Sequence, residues 1–264
     1  MASIKNYVNG VGGTTGAELA TISPLQASGT VYYLGNATTG ASDANAGTER
    51  VKPLLTMAQA YANASAGDII DVLAGHSEIL STGVTFNKAK LSVVGEGDGS
   101  TVPSFTMNDG SNGFVVTADG CLFDNLKFAV PTSAGTTMQL QAMTTCQNLT
   151  FLTGALETAS FSMSNASSGS VIRGLTVTAS AAGAAIAVIV PGAITIDNIT
   201  MDNVVIDAGS YAWATTAFQI NTALRINITN LQLLNGSDMS LPTGSTGYIH
   251  VSEQSGSSKI DWTP

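Results

Sequence analysis

The chain has 264 residues, 44% of them hydrophobic and 10% charged, with 18 Asp and Glu against 9 Lys and Arg and a net charge of -9. This composition excludes a disordered chain, and the scarcity of cations argues against nucleic-acid backbones and anionic membrane surfaces as partners. No apolar run reaches the roughly 18 residues of a transmembrane helix, and Met1-Ala2-Ser3-Ile4-Lys5 lacks a signal-peptide core, so synthesis in a cytoplasm is expected.

Residues 1–29 are rich in Gly, Thr and Ala, show no sustained periodicity, and read as an N-terminal arm. Val31-Tyr32-Tyr33-Leu34 is the first expected strand. Pro53 then opens an amphipathic helix near 53–64, with Leu54, Met57, Ala58 and Tyr61 on one face. Pro suits the first turn of a helix, and Gly67 lies just past its end. Further strands are expected over 68–73, 84–86 and 91–95.

Five later segments, 121–128, 144–151, 170–177, 194–201 and 226–233, share one pattern: apolar, polar, Asn or Gly, apolar, variable, apolar. The fifth position of each is Asn125, Asn148, Gly174, Asn198 and Asn230, with steps of 23, 26, 24 and 32 residues. Asn and Gly both enter the left-handed backbone region readily. Each unit therefore reads as a strand, a sharp bend and a second strand. One unit cannot bury its apolar face, but a stack of them can. Leu126, Leu149, Leu175, Ile199 and Leu231 are expected to form one inward column. Phe128, Phe151, Val177, Met201 and Leu233 form a second, and stacked Asn side chains are expected along the bend. Cys146 falls on an inward position and Cys121 two residues earlier in its own unit. At a coil spacing of about 4.8 Å their Cα atoms lie about 8 Å apart, beyond the disulfide range, so both read as buried thiols. Tyr248–Val251 is a last strand candidate, and 236–264 reads as a C-terminal strand and tail.

The bends, the helix, Gly67-Asp68-Ile69-Ile70-Asp71-Val72 and Gly75-His76-Ser77-Glu78 together resemble the right-handed parallel β-helix, or pectate-lyase-like, superfamily. More narrowly, the lead-in is similar to that of phage-encoded members. The resemblance spans about residues 31–235. It implies an all-β fold: a right-handed parallel β-helix over 30–235 with one short N-terminal capping helix. It also implies a virion protein, of the capsid decoration or cement type, or a tail spike.

The outward residues decide whether chemistry is expected, since the fold alone does not. On the five-unit alignment the outward row reads Asp124, Gln147, Arg173, Asp197 and Thr229, which separates Asp124 from Asp197 by about 14 Å and sets Arg173 beside Asp197 as an ion pair. The next row, Lys127, Thr150, Thr176, Thr200 and Gln232, offers no activating base. Asp202 and Asp207 fall on opposite faces of a regular strand, so a calcium cluster is not expected. His76 and Glu78 point to one side of a strand, either as an acid–base pair or as a turn whose imidazole bonds backbone. Tyr211, Trp213 and Trp262 are the candidate contact patch, and Tyr211 and Trp213 read equally well as packing residues. The sequence therefore leads us to expect a structural protein and no enzyme, without catalytic residues, metal or cofactor. It would sit on a capsid surface as a homo-oligomer, a dimer or trimer, with the major capsid protein as partner. A tail-spike-like polysaccharide depolymerase and a glycan-binding fibre are the alternatives.

Overall fold

A computed structural model describes residues 29–108, 110, 112–184, 186–190, 197–214, 216–220, 225–240, 248–252 and 260–261. Residues 1–28 and Trp262 lie outside these. Among the described residues the fold is an all-β parallel solenoid with a single α-helix, Met57–Asn63. One rung shows the plan. Cys121–Asp124 runs to a bend at Asn125, Lys127–Phe128 continues, and Thr136–Leu140 crosses the far side. The next rung repeats it with Thr144–Gln147, Asn148, Thr150–Thr153 and Ala159–Met163. In later rungs Val171–Ala179, Ile199–Asp207 and Arg225–Leu234 pass through the bend as single strands. They fuse the first two faces into one 13-stranded sheet, and the third face is a separate 8-stranded sheet. Strand Tyr248–Ser252 adds to the first sheet beside Arg225–Leu234, and Ile260–Asp261 to the second beside Met239–Ser240.

The bends have the backbone that their residue types permit: φ is 54° at Asn125, 50° at Asn148, 65° at Gly174 and 52° at Asn230. A Cβ on Gly174 would stand 3.0 Å from Asn148 Oδ1, so a side chain here meets both a left-handed φ and a close neighbour. The fourth bend differs from the sequence reading. Arg173 pairs with Asp202 and Leu175 with Val204, and these in turn pair with Thr229 and Leu231. Asn203, at φ 56°, therefore stands between Gly174 and Asn230, and Asn198 does not. The stretch Ile194-Thr195-Ile196-Asp197-Asn198-Ile199-Thr200-Met201-Asp202-Asn203-Val204-Val205-Ile206 contains the pattern twice, five residues apart. Pairing chose the second copy. The inward columns accordingly hold Val204 in place of Ile199 and Ile206 in place of Met201, all of them buried.

Asn198 belongs to a second left-handed column at the entrance to the first face. Gly67, Lys90 and Gly169 have positive φ, and each donates its N–H to the carbonyl just before a residue of the same kind on the next rung: Ala89 before Lys90, Asp119 before Gly120, Asp197 before Asn198. The exit bends use the same bond, Asn125 N–H to Gln147 and Asn148 N–H to Arg173.

The interior is aromatic in the first half of the rod. Phe114 sits 5.0 Å from Phe86 and 5.3 Å from both Phe105 and Phe128, and Phe128 stacks on Phe151 at 4.6 Å. Such pairs add about 0.5–1.5 kcal/mol each beyond simple burial. The 8-stranded sheet contributes its own inward column of Phe114, Met138, Phe161, Val188, Phe218 and Met239. Cys121 and Cys146 are buried free thiols. Burial pushes Cys121 up to about 11 and Cys146 higher still.

The helix starts later than its pattern predicts. Thr56 is the N-cap, its Oγ accepting from Gln59 N at 3.2 Å, and Asp43 accepts from the Leu55 and Thr56 amides at 2.9 Å each. Met57 and Ala60 are buried while Ala58 is exposed, so the buried stripe is turned from the expected one. Leu54 is buried too, but before the helix, where it pairs with Leu34. Lys88 closes the other end, its Nζ donating to the carbonyls of Ala62 and Ala64 and lying 4.3 Å above the Tyr61 ring.

Candidate functional site

The most unusual charged group sits at the capped end and was not singled out in the sequence. Asp71 lies mid-strand in Ile69–Val72, on the outer side, because Ile70 and Val72 both point into the core. Glu96 follows strand Ser92–Gly95 on the next rung. Arg50 reaches over both from the loop ahead of the helix: its two terminal nitrogens bond the two oxygens of Glu96, and one stands 3.8 Å from Asp71 Oδ2. Asp71 Oδ1 is buried with no hydrogen-bond donor. Burial first, then the charge of Glu96, raises the Asp71 carboxyl to about 8, against the pull of Arg50. Tyr33, on the adjoining strand, is raised by burial and by Asp71. The sequence held a signal for this group: Asp71 interrupts the run Ile69-Ile70-Asp71-Val72-Leu73, and a charge inside a doubly buried strand requires a partner.

Further along the rod the carboxylates are held in another way. Asn148 Nδ2 donates to Asp124 at 2.9 Å, Asn230 Nδ2 to Asp202 at 2.9 Å and Asn235 Nδ2 to Asp207 at 2.6 Å. At the bends Asn148 and Asn230 thus bond an Asp on the preceding rung and Asn125 the carbonyls of Gly95 and Gly97, where asparagine-to-asparagine bonds were expected. Burial raises Asp124, whereas hydrogen bonds from Thr229 and then Asn230 lower Asp202. Asp202 and Asp207 are both half-buried, because the Asn203 bend removes the regular alternation that put them on opposite faces. Asp197 pairs with Arg225 at 2.6 Å and not with Arg173, which faces Asp202 across the sheet. That bond, more than any other cause, lowers Asp197.

His76 is buried. Its Nδ1 stands 2.9 Å from the Gly35 carbonyl and its Nε2 3.2 Å from Glu78 Oε2, which also accepts from the Met57 amide at 2.9 Å. The pair braces the strand to the preceding loop and to the start of the helix. Glu157, also unflagged by the sequence, is buried with Thr137, Ser160 and the Gly154 amide as donors, and burial raises it to about 7. No pattern in its loop pointed to it. Tyr211 and Trp213 do not form one patch. Tyr211 is exposed, whereas half-buried Trp213 packs against the core and donates Nε1–H to Ser237 at 2.9 Å. Among the described residues no group of three or more His, Cys, Asp or Glu could hold a metal ion, and no described helix is long and apolar enough to cross a membrane.

No protein-family model matches the sequence, and no curated protein matches it. Two solved structures share the architecture. The crystal structure of pectate lyase Pel9A matches with a TM-score of 0.47 at 12% identity, over 87% of this chain and 77% of that one. Rhamnogalacturonan lyase matches with a TM-score of 0.39 at 12% identity, over 80% and 75%. The likeness is one of fold. The expectation that this chain is no enzyme is corrected here, since the structures matched are titled pectate lyase and rhamnogalacturonan lyase.

Proposed function

We propose that the chain is a structural protein of a bacteriophage particle, a decoration protein seated on the major capsid protein as a homo-oligomer. The observation that carries this reading is the capped end. The lead-in residues that resemble phage virion proteins, Gly75-His76-Ser77-Glu78, form a brace that joins the first rungs to the loop and helix covering them. A rod closed at one end, with carboxylates tied rung to rung, suits a rigid surface module. The net charge of -9 favours the outside of a particle over contact with packaged nucleic acid.

Mass spectrometry of purified virions, with low-resolution imaging of antibody-labelled particles, tests the proposal. The expected result is regular labelling over the capsid. Absence from particles, or labelling of the tail alone, overturns it. Incubation with host capsule or lipopolysaccharide is the companion assay, and release of oligosaccharides assigns the chain to the depolymerases instead.

A further inference from the structure

Residues on the outer face of a sheet ordinarily meet water, yet the Asp71 side chain is only 3% exposed and that of Glu96 only 8%. Part of the cover is a tight turn. Glu49 and Lys52 bridge through their backbones, with Lys52 N–H donating to Glu49 at 2.9 Å, and Arg50 at the tip of the turn reaches down to both carboxyls. Arg50 satisfies both oxygens of Glu96 but leaves Asp71 Oδ1 without a donor. A buried carboxylate oxygen in that position is costly. A proton on Asp71 removes the cost, and the adjacent Glu96 carboxylate is the group placed to accept it. The arrangement is two neighbouring carboxyls closed over by one guanidinium, which engages both oxygens of Glu96 and leaves Asp71 incompletely paired.

We propose that Arg50, Asp71 and Glu96 form a proton-operated clasp, which is shut while Asp71 holds a proton beside the Arg50–Glu96 pair and is released when base in solution takes that proton away. With the proton gone, two buried carboxylates face one guanidinium. Admitting water relieves the repulsion, and the turn from Glu49 to Lys52 must lift to let it in. The titratable and charged groups that face Asp71 are Glu96 on the next rung, Arg50 above and Tyr33 on the adjoining strand. Linkage fixes the direction. A carboxyl that holds its proton more tightly in the closed state than in the open one shifts the balance toward open as pH rises. The same loop carries Asp43, which holds the Leu55 and Thr56 amides just ahead of the helix, and Leu54, which pairs with Leu34, so the clasp sits at the tip of the segment that closes the rod.

Trypsin reads the clasp directly, because the Arg50–Val51 bond is a cleavage site whose side chain is engaged only in the closed form. The full chain is digested over a pH series from about 6 to about 9.5, a range that spans the raised carboxyl. Rates are divided by those of a free peptide with the same bond. Cleavage after Arg50 is expected to rise about tenfold or more across the series. Asp71→Asn should remove the pH step, with circular dichroism and cleavage after Arg173 checking that the rod remains folded. Glu96→Gln should speed cleavage at every pH, because Arg50 loses its bidentate partner, and should shrink the step. A wild-type rate without pH dependence, a step that survives in Asp71→Asn, or a step of unchanged size in Glu96→Gln each overturns the clasp.

Discussion

Asp71 and Asp202 occupy the same outward row of the same sheet, linked rung by rung through Val94, Asp124, Gln147 and Arg173. At the capped end Asp71 is covered, faces a second carboxyl and is raised. Near the other end Asp202 is only half-buried, receives hydrogen bonds from Thr229 and Asn230, and is lowered. Asp124, between them, is raised by burial although Asn148 bonds it. Position in the repeat therefore sets direction only; what lies over the row decides the chemistry. The interior shows the same division, with phenylalanines packed on one another in the early rungs and mostly aliphatic side chains in the later ones.

The largest test of this division is Phe114→Ala against Ile206→Val. Phe114 touches four other phenylalanines, so its loss should cost about 3–5 kcal/mol in chemical denaturation, against about 0.5–1.5 kcal/mol for Ile206→Val. Comparable costs at the two sites would erase the distinction between the halves.

Acidity should sharpen it next. Glu157 is raised to about 7 in the folded chain, above its ordinary value near 4.3, so the folded state binds more protons between those two values. Stability from this group is complete in mild acid and falls as pH rises through about 7. Glu157→Gln should flatten that fall, with a difference on the order of 2 kcal/mol between about pH 4 and 8. Urea midpoints across the pH series measure it, and identical slopes in the two proteins would contradict the burial of this carboxyl.

At the bends, Gly174→Ala should lose about 1–2 kcal/mol and Gly174→Asn clearly less, since Asn tolerates the left-handed backbone. Equal losses would mean that the contact with Asn148 dominates over φ. Thr56→Ala, which removes the helix cap, should cost about 1 kcal/mol. The smallest effect belongs to Arg225→Ala. Its pair with Asp197 is open to solvent, so the melting temperature should stay within error in moderate salt.

The bends, the parallel stack, the lead-in helix and most strands of the first face were legible because one residue requirement, a left-handed φ, recurs in a fixed frame. Most strands of the 8-stranded sheet were not. Phe114, Met138, Phe161, Val188, Phe218 and Met239 share a column but no residue type, and the loops before them differ in length. The error at Asn198 arose in the repeat itself, since two overlapping copies satisfy the pattern equally and only pairing across strands separates them. The charged cluster escaped because its partners, Arg50 and Glu96, lie on loops outside the repeat, 46 residues apart. Trp213 could be read from the sequence as a packing residue or as a contact anchor, because only its neighbours Ala184 and Ser237, distant in sequence, separate the two.

The doubled pattern bears on how the rod assembles. Bends at Gly174, Asn203 and Asn230 are separated by 29 and 27 residues, whereas a bend at Asn198 would make those intervals 24 and 32. Either spacing keeps apolar side chains inward in the sequence, so the growing stack meets two competing docking frames at this one rung. Loop closure differs little between them, which leaves the choice to contacts made only after the next strand arrives. A five-residue slip at this rung, corrected late, is expected to set the slowest phase of refolding, and Asn198→Val, which spoils the competing bend, should speed that phase in stopped-flow refolding.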